Sequence, residues 1–431
     1  MLVFLSDLHF TDGTAGEHNL SARAFRVFFQ DLAGLCKWLE AKGNQVKEIK
    51  LVFLGDVFDL LRTEAWFEVP LKERPWGVDE KATEVHANKI FDAIRAKNKA
   101  VFDLLSAPLA PVFDLPIEPE RIYVPGNHDR LCQKYPSLRK KVREQLRIDP
   151  PRKDPFNPFF LSEEYAVMAR HGHEFDVFNY EGSSAFTLED YLQVPIGDPI
   201  TTELVSKISW KIMQHKEVQT LPEEEKDSLK RNLQNIENVR PLSATILWLL
   251  YQVRENARLK YVIEECVDEV IEEFNEIPYV KKWYDHHDKW TEFLDEADKI
   301  QAVLFLLKKI RVFSLEKVLN LYQKIEKMFK HDEMISAASQ EFLALGPEFH
   351  YVVYGHTHQP KNVALRVIHR LDEKISKQIY LNTGTWRTRY YKCTDSLDFI
   401  GWKNMTYVVL YLPEERSKDI PTFETWTGAI I

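Results

Sequence analysis

The sequence predicts an α/β protein with a layered core and a large all-helical insertion. Three observations point there. Short apolar runs rich in β-branched and aromatic residues recur, and each ends in Gly, Asp or His. Helical stretches separate several of these runs, as in layered α/β cores. All 15 glycines lie outside residues 201–345, and that block holds only Pro222, Pro241 and Pro278. Both residue types weaken helix interiors, so the block suits helix throughout.

Taken in order, strands are expected at 2–6, 49–54, 121–124, 166–170, 350–354, 378–381 and 405–412. Helices are expected at 21–42 and 83–105, and the proline-rich stretch 107–119 reads as a loop. Within the glycine-free block, Leu259, Ile263, Cys266, Val267, Val270, Ile271 and Phe274 follow helical spacing. So do Ile300, Val303, Leu304, Leu307 and Ile310, then Val318, Leu321, Tyr322, Ile325 and Phe329. Acidic pairs such as Glu264–Glu265 and Glu272–Glu273 form a solvated opposite face. The expected layout is a core from 1–195 and 346–431, with residues 196–345 inserted.

Composition narrows the function. Hydrophobic residues at 45% and aromatics at 12% exclude a disordered chain. A net charge of -9 argues against general coating of nucleic acid. The four cysteines include no CxxC pair, which excludes a thiolate zinc site and fits a reducing compartment. No apolar run reaches the ~18 residues of a membrane span. The opening Met1–Ser6 reads as a buried strand rather than a signal peptide, so a cytoplasmic location is expected.

Five of the expected strands end in potential metal ligands: Asp7-Leu8-His9, Gly55-Asp56, Gly126-Asn127-His128-Asp129, His171-Gly172-His173 and Gly355-His356-Thr357-His358. Six of the 14 histidines fall in these segments. One such residue at a strand end is ordinarily a turn residue, but five such endings in one chain are not explained that way. Asp12 and Asp59 read as turn residues. Arg62, Arg130, Arg170, Arg387 and Arg389 lie near the motifs and suit bidentate phosphate capture. Trp386 reads as structural, and His286–His287 as surface.

This ordered set resembles the calcineurin-like metallophosphoesterase superfamily, whose pattern runs D-x-H, G-D, G-N-H-D/E, H-G or G-H, and G-H-x-H. The segments Gly55–Leu60 and Gly355–Pro360 are similar to the branch containing the UDP-2,3-diacylglucosamine pyrophosphatases, although the insertion and the length depart from that branch. The resemblance implies two packed mixed sheets flanked by helices, with a site at the strand ends. It implies two divalent transition-metal ions, manganese first, with iron, zinc, cobalt and nickel also suited to N/O donors. Asp7, His9 and His358 would hold one ion, Asn127, His171 and His356 the other, and Asp56 would bridge them. His128 would act on the leaving oxygen or the phosphoryl charge, oriented by Asp129. His173 would touch phosphate or support a ligand.

The function so implied is hydrolysis of a phosphate ester or phosphoanhydride of a small molecule by a metal-bound hydroxide. The alternatives are a nuclease of the same superfamily and a non-catalytic scaffold that binds partners through the insertion. The inserted block leaves the core after the His171 segment and returns before the His356 segment. It therefore starts at the rim of the site, and a cap is the expected role.

Overall fold

The computed structural model describes residues 1–17, 20–148, 154–240, 244–252, 256–287, 300–301, 304, 333–369, 375–396, 398–416 and 422–429. The protein is α/β, with two mixed β-sheets and helices. Its strands are β1 (Leu2–Leu5), β2 (Lys50–Leu54), β3 (Glu120–Val124), β4 (Phe159–Ser162), β5 (Val167–Arg170), β6 (Val239–Arg240), β7 (Tyr351–Tyr354), β8 (Lys361–His369), β9 (Ile375–Asn382), β10 (Thr388–Lys392), β11 (Phe399–Leu410) and β12 (Phe423–Ala429). The first sheet runs β3-β2-β1-β11-β10-β6, with β12 also on β11, and the second runs β4-β5-β7-β9-β8. Parallel pairing of β1 with β2 and β2 with β3 brings three motif-bearing strands to the same end of one sheet. Parallel pairing of β5 with β7 brings two more to one end of the other sheet.

Alternation along the strands sets the packing. Leu2 and Phe4 of β1 join Val52, Leu54, Val167, Ala169, Val353 and Leu381 in one apolar cluster shared by the two sheets. Val3 and Leu5 point the other way, into a cluster with the helices Ala22–Ala41 and Glu80–Lys97. The outer face of the second sheet packs Val352, Tyr354 and Tyr380 against the helix Glu333–Leu345.

Several expectations need correction. The expected helix at 83–105 is two, Glu80–Lys97 and Lys99–Leu105, broken at Asn98. The proline-rich 107–119 stretch contains a one-turn helix, Ala110–Phe113, with a proline in its first turn, where no amide donor is needed. The inserted block is not all-helical. It contributes β6, which adds to the edge of β10 through Val239 and Arg240. Its apolar cluster also takes in Trp76, Tyr390 and Phe399 from outside the block. The periodic positions at 303, 307–310 and 318–329 lie outside the described residues. No helix among the described residues is long and apolar enough to cross a membrane.

Candidate metal centre

The turns that follow β1, β2, β3, β5 and β7 bring their polar side chains to one place. Asp7, His9 and His358 offer donor atoms within 4.8 Å of one another, as do Asp56, His171 and His356, and also His9, Asp56 and His128. Asp56 belongs to both sides: its Oδ2 lies 3.1 Å from His171 Nε2 and 3.6 Å from His9 Nε2. Asp7 Oδ1 lies 3.3 Å from His358 Nε2 and 3.9 Å from His9 Nε2.

Backbone amides fix these carboxylates. His356 N–H donates to Asp7 Oδ2 at 3.0 Å, and His128 N–H donates to Asp56 Oδ1 at 2.9 Å. The remaining oxygens, Asp7 Oδ1 and Asp56 Oδ2, are the ones that face the histidines. Asn127 Nδ2 donates to Asn179 Oδ1 at 3.1 Å, which leaves Asn127 Oδ1 as its free acceptor.

The backbone at the site is strained. Asp7, His9, Asp56, His356 and His358 all have positive φ, between 45° and 65°. They are five of the nine non-glycine residues with positive φ among those described. Such conformations cost about 1–3 kcal/mol each and concentrate where function demands them. Close approach also fixes Gly126, because a Cβ there would stand 2.6 Å from Asp56 N and collide with Asp56 Oδ1.

The donor set fits divalent cations. Asp7 Oδ1, Asn127 Oδ1 and His171 Nε2 are buried without a hydrogen-bond partner among the described residues; the close His171–Asp56 approach lacks hydrogen-bond geometry. Buried polar atoms are normally partnered; Asp7 and His171 belong to the donor groups, and Asn127 directly precedes His128 of the third. N and O donors without thiolate suit borderline transition ions.

Ring partners set which nitrogen is available. His171 Nδ1 donates to Leu54 O at 2.9 Å, His9 Nδ1 to Asp59 Oδ2 at 3.1 Å and His356 Nε2 to Asp176 Oδ2 at 2.9 Å. Each arrangement turns the other ring nitrogen toward the cluster, and at His171, which the carboxylates keep protonated, that nitrogen must shed its proton to hold an ion. His358 differs. Arg240 Nη2 lies 2.5 Å from its Nδ1. Arginine only donates, so Nδ1 accepts and the ring proton sits on Nε2, 3.0 Å from His9 Nε2; that proton must leave for Nε2 to ligate.

Electrostatics follow from the crowding. Burial opposes charge on His171, but Asp56 and Asp7 outweigh it and hold the ring up at about 10. Burial would raise the Asp7 carboxyl, yet His171, His358 and His9 hold it well below the usual range. Asp56 is lowered in the same way, against burial, by His171, His128 and His9. Burial pushes His173 down to about 4, so it is a neutral ring near the site, with its centroid 5.4 Å from that of His171.

Two sequence assignments change. Asp129 does not orient His128. Its carboxylate accepts the backbone N–H groups of Val57, Phe58 and Gly126, and so ties the two glycine turns together. The partner of His128 is Asp59, whose Oδ1 lies 3.0 Å from His128 Nδ1 while its Oδ2 holds His9. Asp59 was read as a turn residue; it is fully buried, three residues beyond Asp56, and serves two rings. Asp12 is a turn residue, accepting from Thr14 N and Thr14 Oγ1. Arg130 and Arg170 are engaged by Asp198 and Glu341. Trp386 is structural, fully buried against Phe25 and Phe28, with Nε1 donating to Thr406 O.

Asp59→Asn is expected to act twice. It loosens His9, and loss of such outer partners typically costs ~10–100-fold in metal affinity. It also removes a carboxylate that raises His128, so any activity that needs protonated His128 should fall away at lower pH than in the parent. Metal titration and a pH–rate profile check the two effects separately.

No family model matches this chain, and neither a curated protein nor a solved structure does so.

Proposed function

We propose that the chain is a dinuclear metal-dependent phosphoesterase of the calcineurin-like metallophosphoesterase type, acting on a phosphate ester or phosphoanhydride of a small molecule. The observation that carries this reading is the position of Asp56 between two donor triads, with one oxygen facing His9 and His171. The two facing mixed sheets with outer helices, and strand ends converging on the site, agree with the layering of that superfamily. Asp7, His9 and His358 would hold one ion, Asn127, His171 and His356 the other, with Asp56 common to both. When bound, two divalent cations offset phosphoryl charge and acidify water at neutral pH.

The chain's own groups supply the rest. Burial disfavours charge on His128, but in the metal-free chain Asp59 and Asp56 outweigh it and hold the ring up at about 10; Asp59, which is not a ligand in this reading, keeps its pull on the ring when metal is bound. Asp59 occupies Nδ1 and leaves Nε2–H as the donor. His128 would give that proton to the leaving oxygen as the P–O bond breaks, or neutralise charge on the phosphoryl oxygens. The Asp59 bond keeps the ring aimed while the proton moves.

The test is hydrolysis of a generic aryl phosphate and of a phosphodiester by manganese-loaded protein. Turnover that disappears with chelator and returns with metal supports the reading. Absence of turnover on monoester, diester and pyrophosphate alike would sink it.

A further inference from the structure

Four arginines from separate parts of the chain gather beside the His9–His358 side of the centre. Arg62 follows the β2 turn. Arg387 and Arg389 lie just before and on β10. Arg240 is on β6, within the inserted block, and β6 pairs with β10. All four are at most 8% exposed. Arg240 reaches His358 Nδ1, and Arg389 Nη1 donates to His358 O at 3.0 Å. Arg62 Nη1 lies 4.0 Å from Asp59 Oδ2.

Their charge is not balanced by the carboxylates around them. Arg62 pairs with Glu237, and its Nη2 donates to Gln234 O. Asp59 already accepts from His9 and His128. Arg240 spends Nη1 on the carbonyls of Glu237 and Val239. Arg387 Nε and Nη2, Arg389 Nε and Arg62 Nη1 are buried with no hydrogen bond among the described residues. Burial, together with Arg62 and with Arg240, pushes Arg387 down to about 9 against the pull of Asp59 and Glu237. A fold gains nothing from crowding four guanidinium groups while leaving several of their buried N–H donors without acceptors. Burying a charge without a partner is costly, and such local conflicts mark functional sites.

We infer that Arg62, Arg240, Arg387 and Arg389 form an anion subsite, beside the metal centre, that receives a second phosphate-class group of the substrate. Guanidinium forks suit such a group through paired N–H donors. The inference rests on the phosphoesterase reading and narrows its substrate to molecules with two anionic centres. It also gives the inserted block a part in specificity, since Arg240 comes from that block and Glu237 and Gln234 hold Arg62.

Inorganic phosphate binding to metal-free protein, followed by calorimetry and by thermal shift, tests the subsite without any turnover. Protonated His128 and His171 can also attract phosphate in metal-free protein, so the arginine variants decide where it binds. Wild type should bind, be stabilised by phosphate, and lose affinity as salt rises. Arg387→Met and Arg62→Met should each weaken binding at least ~10-fold, as expected from loss of a charged hydrogen-bond partner. Arg387→Met should also melt no lower than wild type without phosphate, because it removes an unpaired buried charge. Arg387→Lys should recover part of the affinity. In metal-loaded enzyme, Arg387→Met should raise KM for a bisphosphorylated ester while leaving KM for its monophosphate within about twofold. Failure of metal-free wild type to bind phosphate would overturn the subsite whatever the variants do. So would unchanged affinity in folded Arg387→Met and Arg62→Met, or an equal KM effect on both esters. Phosphate binding in a protein without turnover would sink the hydrolase reading alone, and turnover without phosphate binding would sink only the subsite.

Discussion

Asp56→Asn is expected to damage both metal sites at once. Of the candidate ligands only Asp56 groups both with His9 and with His171 and His356, and its Oδ2 faces His9 on one side and His171 on the other. An amide loses the charge that offsets two cations, and its nitrogen cannot bridge. Elemental analysis of manganese-loaded protein should find two ions per chain in wild type and less than one in the variant. Asp7→Asn, by contrast, should spare the ion that Asn127, His171 and His356 would hold. Asp56 is also paired with buried histidines, so metal-free Asp56→Asn leaves His171 with one carboxylate instead of two. The ring's affinity for its proton, raised by Asp56 and Asp7 against burial, should then fall. NMR titration of the metal-free protein checks this direction.

His128→Ala is expected to keep both ions and lose turnover. The ring is held by Asp59 rather than by any strand-end ligand pair, and its loss leaves Asp7, Asp56, His171, His356 and His358 with their own partners. General-acid roles contribute about 10²–10⁴-fold, so kcat should fall by that much on an alkyl ester. The fall should be smaller on a nitrophenyl ester, whose leaving group needs no proton. His128 also lies among atoms able to group with His9 and Asp56. Loss of an ion from His128→Ala would therefore make it a ligand and remove its assignment as the acid.

The strand-end pattern made the site legible before any fold was known. Asp7 and His9, or His356 and His358, are two residues apart on the chain and needed no long-range information. The roles that failed were those in which neighbours in sequence are not neighbours in space. Asp129 follows His128 directly, yet its carboxylate turns back onto the amides of Val57, Phe58 and Gly126. Asp59 has the composition of a turn residue, and only the pairing of β1, β2 and β3 brings it under two rings. Arg62, Arg387 and Arg389 were legible only as single residues near motifs and Arg240 not at all, because β6 and β10 bring Arg240 in by sheet pairing rather than by spacing. In the fold, buried runs such as β1 and β7 stood out. β8, half-exposed with an alternating pattern, did not, and neither did the two residues of β6 between helices. A short edge strand takes its conformation from its partner rather than from its own side chains.

Electron paramagnetic resonance of manganese-loaded protein tests most directly whether a pair of ions shares one carboxylate. Two Mn(II) ions bridged by Asp56 should give an exchange-coupled spectrum that Asp56→Asn abolishes. A spectrum of magnetically isolated Mn(II) alone at full loading, unchanged by Asp56→Asn, would contradict it.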